Sequence, residues 1–357
     1  MKKFLEHRWF PEALFVLLVG LMLTLVIFIE IKGASVEEPT TASVGSIHCV
    51  GELENNFQCY KKYYSQITEK YGVDRAFQSL KQLYSTRPYV VAQCHQFGHV
   101  IGNTAIGLYA TVGEAFQHGD SFCWSGYYHG VIEQAAKKFS TDTIKSEVNL
   151  FCKDIQGKDR YSFDYFNCVH GLGHGFMAVT KGDLFAALDY CALLDGGWEK
   201  ESCYGGVFME NVMLDNRDHH TDYLKQDDLL YPCNAVDVKY KNQCYLMQTS
   251  YALTKNGHDF KGLFDLCGRA DTGFVETCAQ SIGRDASGQS VSNVSQTHAW
   301  CALAPDDNLE ANCIIGAVKD FISYFHGTNE AKVLCLTYDG ALKQTCESTI
   351  ESYAKTL

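Results

Sequence analysis

Four cysteines, Cys233, Cys267, Cys301 and Cys335, recur 34 residues apart, and each is followed by a second, Cys244, Cys278, Cys313 and Cys346, after 11, 11, 12 and 11 residues. Two cysteines per fixed-period unit specify a disulfide-stapled repeat protein, in which each unit packs on its neighbours instead of around one central core. Upstream, Cys191 with Cys203 and Cys152 with Cys168 continue the series at looser spacing, and Cys49 with Cys59 opens it. Cys94 and Cys123 break the pattern, because neither has a cysteine 10 to 16 residues before it. The simplest account joins them to each other, across the second helices of neighbouring hairpins; the alternative is a pair of thiolates serving a metal. All 16 cysteines then form eight bridges between successive cysteines along the chain, as expected in an oxidising compartment.

The segments that approach the first cysteine, LFDLC, THAWC, AKVLC, LLYPC and ALDYC, read as the last turn of an amphipathic helix. The second cysteine opens another apolar-periodic run, as in CYLMQTSYAL and CIIGAVKDF, and polar links with Gly, Asp and Thr lie between the two. One unit is thus a helical hairpin with a disulfide across its turn. A loop of this size removes about 3 kcal/mol of denatured-state entropy per bridge in the chain-entropy model. The 34-residue period and two-helix content resemble tetratricopeptide and Sel1-like repeats over residues 145 to 357, in architecture only, since the W-x2-L-G-x2-Y pattern is missing. The resemblance implies an all-α fold of disulfide-stapled hairpins, an open α-solenoid or a closed α/α toroid.

Residues Ala13 to Ile29 are an unbroken apolar run, long enough with its flanks to approach the ~20 residues of a membrane span. Lys2, Lys3 and Arg8 precede the run and only Lys32 closely follows, so the positive-inside bias puts the N-terminus in the cytoplasm and the rest outside. A cleaved signal peptide is the rival, against which stand the length of the apolar core and the lack of an A-x-A site. The expected layout is a cytoplasmic N-terminus (1–12), a transmembrane signal anchor (13–31), a flexible stalk (32–47) and an extracytoplasmic helical-repeat domain (48–357). That domain divides into a histidine-rich half (48–180) and a regular cysteine-repeat half (181–357). Beyond residue 32 the chain carries 26 Lys and Arg against 39 Asp and Glu, which argues against nucleic acid and anionic lipid surfaces as partners.

A second pattern overlies the first half. His95 and His99 lie in CHQFGH, His129 and Glu133 in YYHGVIE, and His170 and His174 in CVHGLGHG. Each pair is spaced i, i+4, so on a helix both side chains share a face one turn apart, where one cation can bridge them. Three such pairs on neighbouring second helices would converge into a site for one or two divalent ions, with zinc the default and copper or iron also open. The same register after the opening cysteine holds Met209 with Glu210, Arg284 with Asp285, and Lys319 with Asp320. Glu210, Arg284, Asp285 and Lys319 therefore form a candidate ligand-facing row, since equivalent positions of a repeat array stack. Glycines beside the histidines, among them Gly98, Gly130, Gly171, Gly173, Gly205 and Gly206, suit close helix approach or room for a ligand.

No H-E-x-x-H, G-x-S-x-G, P-loop or dinucleotide fingerprint is present, so no catalytic residue is assigned and enzyme activity is left open. Fragments GLGHG (171–175) and CYGG (203–206) are similar to zinc-site elements of lanthionine cyclases, but their order differs and Cys203 is needed as a staple partner. His219 and His220 read as a polar loop, and Asn293-Val294-Ser295 is a glycosylation sequon. Two functions from different classes follow. One is a membrane-anchored metal-binding domain, catalytic or ion-capturing. The other is a metal-free scaffold whose histidines form a buried polar network and whose concave face takes a protein, peptide or glycan.

Overall fold

A computed structural model describes residues 49–137, 141–213, 221–290, 293–325 and 327–356. The expected N-terminus, anchor and stalk, and His219 with His220, lie outside these residues. Among the described residues there is no strand, and no helix is long and apolar enough to cross a membrane. Eight disulfides join the cysteines in successive pairs, Cys49–Cys59, Cys94–Cys123, Cys152–Cys168, Cys191–Cys203, Cys233–Cys244, Cys267–Cys278, Cys301–Cys313 and Cys335–Cys346. No described cysteine is free, and this density of bridges fits an oxidising, extracytoplasmic setting.

The helices opened by the second cysteines, or by Cys94, are α4 (Cys94–Ala105), α6 (Gly126–Ala136), α8 (Phe163–Val179), α10 (Gly197–Val212), α11 (Val238–Lys255), α13 (Val275–Gln289), α15 (Asp307–Phe325) and α17 (Gly340–Tyr353). They pack side by side in chain order. Other helices flank this row: α1 (Phe57–Tyr71), α2 (Val73–Tyr84), α3 (Pro88–Ala92), α5 (Val112–Gln117), α7 (Thr141–Glu147), α9 (Leu184–Cys191), α12 (Phe260–Cys267), α14 (Val294–Cys301) and α16 (Asn329–Cys335). The regular hairpins form as their sequences specify, for α9, α12, α14 and α16 each end on the first cysteine of a pair. Side-chain caps start several helices: Ser162 accepts from Tyr165 N–H, Asp183 from Ala186 N–H, and Asn293 of the sequon from Gln296 N–H.

One unit departs from the pattern. The LLYPC segment is not the end of a helix; it lies in turns before α11. Pro232 has no N–H to donate and disfavours helical geometry at Tyr231. The Gln248 amide replaces the missing helical bonds, donating to the carbonyls of Leu229 at 2.8 Å and Tyr231 at 2.9 Å.

Backbone contact sets the helix spacing in the row. A Cβ on Gly102 would stand 1.9 Å from the Tyr127 carbonyl oxygen, and one on Gly130 would stand 2.2 Å from that of His99. The α8–α10 seam repeats the arrangement, with Gly206 against His170 and Gly173 against Cys203. Only glycine permits such approach. The row also curves back on itself, because the loop before α6 reaches α13 and α15. Trp124 packs 3.0 Å from the Cβ position of Gly288, lies 6.0 Å from the Tyr324 ring and hydrogen-bonds Asp320. Cys123, Trp124 and Ser125 reach this position with φ of 62°, 54° and 60°, a left-handed run that non-glycine residues rarely adopt.

Candidate metal centre

The three pairs converge. His95 and His99 come from α4, His129 and Glu133 from α6, and His170 and His174 from α8; Met209 and Glu210 join them from α10. His95, His99, His129, His170 and His174 are between 0 and 8 % exposed, so five imidazoles share one buried cluster. Ring centroids lie 4.4 Å apart for His129 and His174, 4.8 Å for His95 and His99, and 5.1 Å for His129 and His170. The glycine contacts explain the crowding, since ordinary side-chain packing would hold these helices farther apart.

Tautomers follow from the acceptors around the cluster. A carbonyl or carboxylate oxygen can only accept, so the ring nitrogen facing it must carry the hydrogen. His95 Nδ1 faces the Cys123 carbonyl at 2.9 Å, His99 Nδ1 the Glu133 carboxylate at 3.3 Å, and His174 Nδ1 that of Glu210 at 2.6 Å. His170 hydrogen-bonds the Ser202 carbonyl, and its Nε2 lies 3.4 Å from the Met209 sulfur. His95, His99 and His174 thus turn their Nε2 atoms inward, and His129 Nδ1 lies 3.4 Å from His95 Nε2. His95 Nε2 and His99 Nε2 meet at 3.0 Å with no hydrogen to share between them once both Nδ1 positions are protonated. His129 Nε2 and His174 Nε2 are buried without a hydrogen-bond partner among the described residues. Outer Nδ1–H bonds to oxygen acceptors with inner Nε2 lone pairs are the arrangement by which second-layer groups orient metal-ligating histidines.

Three overlapping groups bring ligand atoms within 4.8 Å of one another: His95, His99 and His129; His129, His170 and His174; and His99, His174 and Glu210. An ion held at ~2.1 Å in tetrahedral geometry needs ligands about 3.4 Å apart, so pairs at the wide end of this range must close by about 1.4 Å. Burial pushes the imidazoles of His95, His129 and His170 well below their ordinary range, and neighbouring imidazoles push the same way. Burial also lowers His174, against the pull of Glu210. For Glu133, burial alone would raise the carboxyl, but the hydrogen bond and charge of His99, with Lys137, outweigh it and hold the pKa at about 2. The depressed imidazoles of His95, His129, His170 and His174 and the carboxylate of Glu133 thus favour neutral nitrogens and an anionic oxygen, the protonation states that bind a cation.

The other row positions lie elsewhere. Asp285 accepts from Thr249 at 2.6 Å and Ser250 at 2.7 Å and pairs with Arg284 at 2.8 Å, which ties α13 to α11. Lys319 donates to Gln280 at 3.3 Å. Glu210, placed by its register in the ligand-facing row, belongs with the histidines; the signal was its position seven residues after Cys203, beside the +6 register of His174. Asn103, which donates to Glu133 at 3.2 Å, and Lys137, which pairs with it, complete the carboxylate's surroundings. No protein-family model, curated protein or solved structure matches this chain.

Proposed function

We propose that the chain is an extracytoplasmic metal-binding protein, tethered by residues 13–31, whose five histidines with Glu210 hold a divalent transition-metal ion. The observation that carries this reading is the inward set of imidazole nitrogens, with the rings of His95, His99 and His174 each fixed from outside by an oxygen acceptor. Without a cation, the 3.0 Å approach of His95 Nε2 to His99 Nε2 and the Nε2 atoms of His129 and His174, which have no hydrogen-bond partner among the described residues, are an electrostatic cost. Imidazole and carboxylate ligands suit zinc, while the Met209 thioether beside His170 adds a soft donor that suits copper.

A metal-free reading has one observation in its favour. A doubly protonated His99 could donate to both Glu133 and His95, making a buried ion pair within a structural polar network. The scaffold would then serve a protein, peptide or glycan on its concave face.

Elemental analysis of the full chain, produced through an oxidising compartment without a histidine tag, decides between them. We expect at least one zinc, copper or iron per chain, lost in the variant carrying His95→Ala, His99→Ala, His170→Ala and His174→Ala while the helical circular dichroism persists. A wild-type protein that holds no metal after reconstitution would establish the polar-network reading.

A further inference from the structure

The cluster opens to solvent on one side. A cleft of about 580 Å³ has His99, Glu133 and Glu210 in its wall, whereas His95, His129, His170 and His174 do not line it. An ion bound among the inner nitrogens would therefore be approached along the His99 side. The volume falls in the range of sites for small molecules.

The charge of this wall runs against that of the molecule. The whole chain carries a net −12, yet among the described residues the cations lining the cleft are three lysines, Lys61 from α1, Lys137 after α6 and Lys181 after α8. Its acidic members among the described residues are Glu133, which faces Lys137 and His99, and Glu210, which faces His174. Gln96 adds a second, independent sign of a polar guest: it is 3 % exposed, contributes to the same wall, and its amide nitrogen has no hydrogen-bond partner among the described residues. Three lysines, an amide donor and a divalent ion in one concavity focus a positive potential that attracts and orients oxyanions.

We propose that this cleft binds a small molecule bearing an oxyanion, a carboxylate or a phosphate, placed between the metal-bearing histidine cluster and the lysines at Lys61, Lys137 and Lys181. The proposal rests on the metal reading above and names the ligand class for that site. Val100 and Met177 in the wall offer apolar surface for the carbon skeleton.

The test uses the full chain, loaded with zinc and verified by elemental analysis, titrated calorimetrically at low salt with inorganic phosphate and, separately, acetate. At least one anion should bind with a Kd of about 1 mM or tighter, and the tighter of the two identifies the oxyanion. The variant Lys61→Ala with Lys181→Ala, which leaves Lys137 as the Glu133 partner, should bind about tenfold more weakly with metal content and circular dichroism unchanged. Loaded protein that binds neither anion below about 10 mM, or a lysine variant that binds as tightly as its parent, overturns the proposal alone. Protein that takes up no zinc fails at the elemental-analysis step, before any anion is added, and overturns the metal reading together with the proposal.

Discussion

A methyl group at Gly102 would meet the Tyr127 carbonyl oxygen at 1.9 Å, so Gly102→Ala must push α4 away from α6 and draw His95 from His129. We expect a loss of about 1–3 kcal/mol in urea unfolding and a lower metal content, whereas Gly268→Ala, whose added carbon would have nothing nearer than 3.6 Å, should change little. The depressed imidazoles also make stability depend on pH. Their ordinary value is 6.5 and the folded values lie below it, so below about 6.5 the unfolded chain binds more protons and metal-free protein loses stability as pH falls. Each shifted histidine contributes up to about 1.4 kcal/mol per pH unit. Asp320, raised by burial to about 6, and Glu310, also raised by burial, work in the opposite direction but are two groups against four. Unfolding midpoints measured from pH 7 to pH 5 should therefore decline, and less steeply for His170→Ala with His174→Ala. The i, i+4 spacing made the histidine pairs and their convergence legible in the sequence. The partners that fix their tautomers were not, because the Cys123 and Ser202 carbonyls are backbone groups present at every residue and acquire meaning only from the packing of α4, α6, α8 and α10.

The repeating hairpin was the most legible element, since the short helices end on the cysteines at positions 191, 267, 301 and 335 as the apolar approach segments implied. The one misread segment, LLYPC, carried its own contrary signal in Pro232, which outweighed the apolar residues before it. The hairpins also predict separable roles. Replacing Cys267 and Cys278 by serine should lower stability by about 3 kcal/mol in the chain-entropy model, read by thermal unfolding, and leave metal content unchanged, because that bridge joins α12 to α13 and none of the candidate ligands lies on either helix. Removing Cys94 and Cys123 should reduce metal content as well, since that bridge sits beside His95 and holds the carbonyl to which His95 Nδ1 bonds.

At the scale of the whole domain, the 34-residue period announced an array but not its path, because the small rotation between successive units is a property of their interfaces and leaves no mark on spacing. The curvature depends on particular contacts such as those of Trp124, a residue that belongs to no repeat register. The lysines of the cleft were hidden for a similar reason: Lys61, Lys137 and Lys181 lie far apart in the chain and gather only when the helices stack. Trp124 has a spectroscopic consequence. Among the described tryptophans, Trp198 stacks on Tyr161 and Trp300 on Phe260, each within its own neighbourhood, whereas Trp124 joins the loop before α6 to α13 and α15. Its indole is an intrinsic fluorescent label of that seam, and its emission reports whether the two halves of the array remain in contact.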